Sequence, residues 1–209
     1  WQGGMEGGLA TADVLCGDTN PSGHLTDTFA GKLTDYPSTE NFHEDINFAE
    51  YTDDIYVGYR YFETIPGARD KVVYPFGFGL SYTDFEMKIV DLRLEKDDCE
   101  YDLECCLMEE DEIEQEANGG GGYKLVFHAR VENTGKCAGK EVVQLYVEAP
   151  HEKMDKPARE LIAFRKTREL APGEVEEFDL MLPLAQMASY DDEGRIAESA
   201  WVLEAGAYR

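Results

Sequence analysis

The chain has 209 residues, enough for one large domain or two small ones with a buried core. Its 44 acidic side chains outnumber its 19 Lys and Arg, and a net charge of −25 repels nucleic-acid phosphates and anionic membranes. Its apolar runs fall short of the roughly 20 residues that span a bilayer, and its 43% hydrophobic content excludes wholesale disorder. We therefore expect a soluble globular protein without a nucleic-acid or membrane partner.

The first part of the chain predicts a helix followed by turns and a strand. Apolar side chains at helical spacing predict a helix over residues 5–16, ended by Gly17. A dense turn cluster follows, and a short apolar segment predicts a strand over residues 25–29. Residues 31–53 are polar and irregular, which indicates an ordered functional loop or a surface excursion.

An aromatic segment comes next. Aromatic and β-branched residues alternate around Gly58 over residues 54–63, a pattern typical of a strand or hairpin. Residues 74–82 combine glycines with aromatic rings, which favours a turn where rings pack closely against the backbone.

From Phe85 onward the pattern predicts an all-β structure. The apolar positions shift phase between Ile89 and Leu92, as a β-bulge requires. Residues 123–132 alternate apolar and polar side chains, which predicts a half-buried strand. Further strands are expected over residues 142–148, 161–165, 175–182 and 201–208, with turns at 133–136 and 171–173 and a loop bracketed by Pro150 and Pro157. Short strands separated by turns favour a β-sandwich.

An acidic segment interrupts this pattern. Residues 95–116 hold 12 acidic side chains against one lysine, and glycines follow at 119–122. We interpret residues 95–122 as a solvated insertion between the first two sandwich strands, transiently helical over 108–116. Calcium binding is the alternative, but an EF-hand loop needs a central glycine, and none lies between Glu95 and Glu116.

Cysteine and glycine patterns predict neither a metal nor a cofactor. The cysteines are Cys16, Cys99, Cys105, Cys106 and Cys137. Their odd number and the absence of a C-x-x-C pair argue against a zinc site and against a disulfide framework. Free thiols favour a reducing compartment, the cytoplasm. Glycines at 3–4 and 7–8 resemble a phosphate cradle, but neither a Walker lysine nor a G-x-G-x-x-G motif accompanies them.

Three stretches carry a family resemblance. They are GMEGG…ADVLCGDTNPSGHL…TF at 4–29, DIYVGYRYFE at 54–63 with YPFGFGLSY at 74–82, and VENTG…AGKEVVQLYV at 131–147 with PAREL at 157–161 and LAPGE at 170–174. In this order they resemble the C-terminal part of glycoside hydrolase family 3, the β-glucosidase and β-xylosidase family. Met5 stands where the family usually has Gln, and His24 where it usually has Lys, so the contacts of those side chains do not carry over.

The resemblance implies a fold and a domain division. We expect the end of an α/β sandwich domain over residues 1–83, followed by an all-β fibronectin type III-like (immunoglobulin-like) sandwich over residues 84–209 that contains the acidic insertion. The sequence begins without an initiator Met or a signal-peptide pattern and ends within a predicted strand, so we expect it to be a piece of a longer polypeptide. Residues 1–8 resemble the branch of the family in which the sandwich precedes the barrel, so we expect the parent chain to continue past Arg209.

The resemblance also implies an activity for the parent chain. It would be a retaining β-glycosidase, most commonly a β-glucosidase, that removes terminal β-linked sugars from oligosaccharides or glycosides. Such enzymes use two carboxyl groups about 5–5.5 Å apart. By resemblance, the nucleophilic Asp lies in a (β/α)₈ barrel missing from this chain, and the acid/base Glu lies upstream of Gly4. We therefore assign no catalytic residue here and expect the chain alone to be inactive, while sugar specificity and homo-oligomerisation stay open.

Three residues are candidates for substrate binding: Asp54, Tyr59 and Arg60. Asp54, with Asp53, precedes the aromatic segment, where a solvated turn is the alternative. Arg60 lies among tyrosines, where pairing at an inter-domain face is the alternative. Glu6 begins the predicted helix, where a carboxylate complements the helix dipole. His43 and His151 lack neighbouring ligands and stay unassigned.

Two other functions stay open. A non-catalytic module that binds polysaccharide through Tyr56, Tyr59, Tyr61 and Trp201 predicts sugar binding by the isolated chain. A structural or adhesion protein predicts repeated sandwich modules, and the sequence has no internal repeat. The enzyme hypothesis predicts that residues 1–83 are unstable alone, because one helix and a few strands cannot close a layered core.

Overall fold

The computed structural model describes residues 3–41, 46–96 and 122–209. In the first two ranges the helices are α1, Gly7–Cys16, and α2, Tyr59–Thr64. Strands β1, Phe29–Ala30, and β2, Val72–Tyr74, pair antiparallel. Short 3₁₀ helices occupy Leu33–Asp35, Pro37–Thr39 and Arg69–Lys71. Nearly all of the acidic insertion, including the helix predicted over 108–116, lies outside the described residues.

Helix α1 confirms the first predicted element and its end. Gly17 adopts a left-handed conformation, with φ of 82°, and its N–H donates to the Val14 carbonyl at 3.1 Å. Glu6 occupies the N-cap position, but its side chain makes no capping hydrogen bond. The apolar side chains of Leu9 and Leu15 are exposed, and no residue of α1 is buried. The described part of the chain therefore leaves the apolar face of α1 uncovered.

The prediction of a strand or hairpin over residues 54–63 is wrong. Gly58 takes φ of 61° and ψ of −127°, which ends any extended run, and α2 starts at the next residue. The helix buries Phe62, whose ring lies edge-on to that of Tyr36 at 5.5 Å. Aromatic residues favour strands only weakly, and burial of Phe62 through a helical turn overrides that preference.

The predicted strand over residues 25–29 is also largely wrong. Regular pairing begins only at Phe29, after a bend at residues 26–27. Leu25 instead exchanges backbone hydrogen bonds with the predicted Gly/aromatic turn: its N–H donates to Phe78, and its carbonyl accepts from Gly77, both at 2.8 Å. The backbone N–H and carbonyl of Leu25 are thus bonded to the turn and are not free to pair within a longer strand.

The second part of the chain is a β-sandwich. One sheet has the order β3–β4–β7, with β3 at Phe85–Lys96, β4 at Tyr123–Asn133 and β7 at Val175–Pro183. The other pairs β5, Val142–Val147, with β6, Glu160–Lys166. Side chains from both sheets, together with Leu170 between β6 and β7, form the core: Ala129, Val131, Val143, Leu170, Phe178 and Leu180. The predicted fold class, an α/β fragment followed by an all-β sandwich, is confirmed.

Two local predictions in the sandwich are confirmed as well. The register of β3 against β4 shifts between Ile89 and Asp91, which is the bulge that the apolar phase shift predicts. Gly173 closes the predicted turn at 171–173 with φ of 78°, and its N–H donates to the Asn133 carbonyl at 2.7 Å.

The last predicted strand is shorter than expected. Strands β8, Ser189–Asp191, and β9, Ala200–Val202, pair with each other after a 3₁₀ helix at Leu184–Met187. The regular strand therefore ends at Val202 rather than at residue 208. Arg209 nevertheless exchanges two backbone hydrogen bonds with Glu148, at 2.8 and 3.1 Å, beside β5. No helix in the described ranges is long and apolar enough to cross a membrane.

Candidate functional site

Helix α2 meets the sandwich through an arginine–glutamate pair. Arg159 donates from Nε to Glu63 Oε2 at 2.5 Å and from Nη2 to Glu63 Oε1 at 2.6 Å. Tyr59 and Glu63 are four residues apart on α2 and therefore lie on one face of the helix. Tyr146 of β5 completes the group, because the Arg159 guanidinium lies 4.6 Å from the centre of its ring. We call these four residues the α2 junction.

The electrostatics of the α2 junction agree with its geometry. The hydrogen bonds from Arg159 to Glu63 raise the pKa of the guanidinium, so Arg159 stays charged. Burial raises the pKa of the Tyr146 phenol, which stays neutral at physiological pH. The junction is therefore a charged pair placed over a neutral ring, an arrangement that holds two segments in a fixed orientation.

Backbone hydrogen bonds reinforce the α2 junction. The Tyr59 hydroxyl accepts the Leu161 N–H at 2.7 Å, and the Thr64 hydroxyl accepts the Ala158 N–H at 2.8 Å. The Tyr59 ring also packs on Phe76, with 4.7 Å between ring centres. The start of β6 is therefore held to α2 by two backbone N–H groups and by the side chain of Arg159.

Arg60 lies beside this junction at a small surface cavity. Its Nη2 is 2.9 Å from Oε1 of Glu160, so Arg60 pairs across the boundary between α2 and the sandwich. The cavity has a volume of roughly 190 Å³ and is lined by Arg60, Glu160, Leu161, Ile162 and Gln186. Its guanidinium, carboxylate and amide groups can donate and accept hydrogen bonds, while the leucine and isoleucine offer an apolar wall.

Asp54 lies on the surface, in a turn before α2. Its φ of 49° is left-handed, an uncommon conformation for a residue other than glycine. Asp54 is exposed, and the Asp53 carbonyl accepts the Tyr56 N–H at 2.9 Å across the turn. Of the three candidates, the structure brings Tyr59 and Arg60 to the boundary with the sandwich and leaves Asp54 in a solvated turn.

The remaining candidate residues lie in different places. Tyr61 is half-buried with its ring edge-on to Phe62, whereas Trp201 is half-exposed beside Tyr190 with 5.5 Å between ring centres. His151 is exposed, and His43 lies outside the described residues. Within the ranges that the structure describes, no three His, Cys, Asp or Glu side chains converge to hold a metal. Most of the acidic run, where calcium was the alternative, lies outside those ranges.

A second contact between the two parts of the chain depends on Asn20. Its Nδ2 donates to the Ala138 carbonyl at 2.9 Å, and its Oδ1 accepts the Tyr82 N–H at 2.9 Å and the Ser81 hydroxyl at 3.1 Å. Gly139 makes this approach possible, because a Cβ there would lie 2.4 Å from Asn20 Nδ2. Asn20 therefore links the turn after α1 to the sandwich.

Sequence reasoning left open that Arg60 pairs at an inter-domain face, as it does with Glu160, but it missed most of the residues that join the two parts. The sequence would have placed Glu63 beside Tyr59 only if α2 had been predicted as a helix, because residues four apart share one face of a helix. Asn20, Tyr146 and Arg159 lie in the quoted motifs, but their partners are far away in sequence, and Arg159 is 96 residues from Glu63. No local pattern indicates such a pairing.

Comparison with known proteins assigns both parts of the chain. Residues 1–82 match the glycosyl hydrolase family 3 C-terminal domain, and residues 141–209 match the fibronectin type III-like domain. The chain therefore belongs to glycosyl hydrolase family 3. This confirms the resemblance that the motifs indicate. The family 3 match covers Tyr59 and Glu63 of the α2 junction, and the fibronectin type III-like match covers Tyr146 and Arg159.

Named relatives of this family 3 chain are β-glucosidases. Over 208 residues the chain is 50% identical to Beta-glucosidase A of Butyrivibrio fibrisolvens, covering 100% of this chain and 24% of that protein. The β-glucosidase structure from Paenibacillus barengoltzii has a TM-score of 0.82 at 48% identity, covering all of this chain and 20% of that one. Beta-glucosidase 3B of Thermotoga neapolitana, solved with α-D-glucose, has a TM-score of 0.75 at 42% identity, covering all of this chain and 25% of that one. The family 3 chain thus spans about a quarter of the length of these relatives.

Proposed function

We propose that the polypeptide carrying this chain is a retaining β-glycosidase of the β-glucosidase type. Its substrates would be oligosaccharides or glycosides with a terminal β-linked sugar. The observation that carries the proposal is the match along the whole chain to Beta-glucosidase A at 50% identity. The resemblance adds the (β/α)₈ barrel with the nucleophile and an upstream acid/base Glu, both beyond this chain.

The role proposed for this chain is structural support of that enzyme. Bidentate pairing of Arg159 with Glu63 and the hydrogen bonds of Asn20 join the family 3 domain to the sandwich at two separate places. We place the boundary between the two domains at residues 83 and 84. The uncovered apolar face of α1 supports packing against further parts of the enzyme, since a 10-residue helix is marginal alone. On this basis residues 1–83 are unstable when expressed separately.

Activity assays on the longer polypeptide test the proposal. We expect hydrolysis of an aryl β-glucoside, with aryl β-xyloside and β-N-acetylglucosaminide assays fixing the sugar. A 2-deoxy-2-fluoroglycoside should trap a covalent intermediate, because a retaining enzyme forms one. Peptide mapping should find the trapped sugar outside residues 1–209. Absence of hydrolysis and trapping with all three sugars would contradict the proposal, and a label within this chain would contradict the supporting role.

The alternative of a sugar-binding module has its own readout. The 209-residue chain should show no binding to cello-oligosaccharides by calorimetry if it serves only as support. Binding that Trp201→Ala abolishes would favour the alternative, because Trp201 and Tyr190 are half-exposed aromatic neighbours. Asp54, Tyr59 and Arg60 stay proposed substrate contacts, for which loss of affinity on single substitution in the longer polypeptide is the test.

Location and assembly belong to the same proposal. Free Cys16 and Cys137 support a reducing compartment, which we propose is the cytoplasm. Cell fractionation tests the location.

Assembly into several copies is compatible with exposed apolar side chains, and light scattering on the longer polypeptide measures the number of copies.

A further inference from the structure

His24 lies between two hydrogen-bond acceptors that belong to different parts of the chain. Its Nδ1 is 2.7 Å from the carbonyl oxygen of Gly77, and its Nε2 is 2.6 Å from Oε1 of Glu141. A carbonyl oxygen and a carboxylate oxygen can only accept, so each ring nitrogen has to present a proton. A neutral imidazole carries one N–H, and only the doubly protonated ring satisfies both contacts.

The glutamate acts as an acceptor in a second contact too. Oε1 of Glu141 also accepts the Val142 N–H at 2.7 Å, so the oxygen that faces His24 already receives another donor. The backbone of Glu141 is fixed to Thr167, whose hydroxyl accepts the Glu141 N–H at 3.0 Å and whose own N–H donates to the Glu141 carbonyl at 2.8 Å. The carboxylate is therefore held in position to accept a hydrogen bond from the ring.

The ring itself has little freedom to move. Gly79 lies directly against it, because a Cβ at this position would lie 2.9 Å from Nδ1 and Cε1 of His24. His24 and Gly79 form an isolated antiparallel bridge, and the side chains of His24 and Glu141 are 22% and 16% exposed. Water has limited access to replace a hydrogen bond that the ring loses.

The contact is built from three segments of the chain. Glu141 is the carboxylate that faces the ring, and the segment with Gly77 and Gly79 contributes backbone atoms. Lys140 precedes Glu141 in sequence, and Lys166 of β6 pairs with Val142 across the ladder.

We propose that His24, Gly77 and Glu141 form a proton-dependent clamp between the family 3 domain and the sandwich. With both ring protons present, His24 donates to both parts of the chain and holds them together. When the pH rises and one proton leaves, a bare ring nitrogen faces an acceptor, and the contact on that side is lost. A lysine stays charged throughout the physiological range, so a lysine at position 24 would keep its charge at a pH where the ring has lost its second proton. The proposal does not depend on catalytic activity.

Hydrogen–deuterium exchange on the longer polypeptide tests the clamp. Reporter amides are those of Leu25, Glu141 and Val142, which are hydrogen-bonded beside it. The Gly173 amide, bonded to Asn133 inside the sandwich, is the reference. Exchange is compared at about pH 6 and about pH 8, after correction for the intrinsic rate. We expect the reporters to exchange about tenfold faster at the higher pH, and the reference to stay unchanged.

Three variants separate the clamp from a general loss of structure. His24→Lys should keep the reporters protected at both pH values, whereas His24→Gln should leave them unprotected at both. Glu141→Gln should remove the pH dependence while keeping protection, since its amide can rotate to donate to a bare ring nitrogen. An unchanged wild-type profile, or a His24→Lys profile that changes with pH as the wild type does, would overturn the proposal.

Discussion

Lys156 and Glu204 form an ion pair that is almost completely buried, with 2.8 Å between Nζ and Oε2 and side chains 4% and 2% exposed. Lys156 also donates to the Pro150 carbonyl at 2.9 Å, and Glu204 accepts the Lys153 N–H at 2.8 Å. The pair therefore ties the loop between β5 and β6 to the C-terminal segment. Burial alone would raise the pKa of Glu204, but the hydrogen bonds from Lys156 and Lys153 outweigh it and hold the pKa below its ordinary value.

Removing one partner of this pair should be strongly destabilising. Lys156→Met leaves the Glu204 carboxylate buried without its cation, so we expect unfolding to become easier by about 3–5 kcal/mol in urea denaturation. The double variant Lys156→Met with Glu204→Leu should lose less, because neither charge is then left unpaired. A double variant as unstable as the single one would contradict this account.

Because the pKa of Glu204 is lowered, the stability from the pair should be lost as the pH falls through that lowered value.

The α2 junction should show measurable coupling between its charges. In a double-mutant cycle with Glu63→Gln and Arg159→Met, we expect a coupling of about 1 kcal/mol, limited by the partial exposure of both side chains. Arg93 and Asp179 provide a control pair at 3.4 Å on the sheet surface, with an expected coupling near zero. Equal coupling in the two pairs would show that the bidentate geometry adds nothing.

A second pH effect should arise on the outer face of the sandwich. His128 and Asp179 are opposite each other on β4 and β7, with Nδ1 2.7 Å from Oδ1. This hydrogen bond to Asp179 raises the pKa of His128. The stabilisation should be fully present below the ordinary histidine value of about 6.5 and be lost as the pH rises through the raised value. Denaturation across this range should show the slope in the wild type and a flatter one in His128→Gln.

Truncation of the sandwich core should depend strongly on burial. Leu170 is fully buried in the core cluster, so Leu170→Ala should cost about 2–5 kcal/mol through lost apolar contact and a residual cavity. Leu94→Ala on β3 is the matched control, since Leu94 is 61% exposed in this chain. Its expected cost is under about 0.5 kcal/mol. A similar cost at both positions in urea denaturation would mean that Leu94 is covered by other parts of the longer polypeptide.

Local patterns in the sequence determined several elements of this protein. The alternation over β4, the phase shift that marks the bulge in β3, and the glycines at 17 and 173 depend on a few neighbouring residues, so periodicity and backbone sterics were sufficient to predict them. The quoted motifs likewise determined the family.

Tertiary structure decided the rest, because the deciding contacts are distant in sequence. The aromatic pattern over residues 54–63 favours a strand, but turns occupy its first half and α2 its second, where Phe62 is buried beside Tyr36. Arg60 could be placed at an inter-domain face, but its partner Glu160 lies 100 residues away in the chain. Glu63 with Arg159 and His24 with Glu141 are 96 and 117 residues apart, and a residue's identity carries no information about which distant partner the topology brings to it.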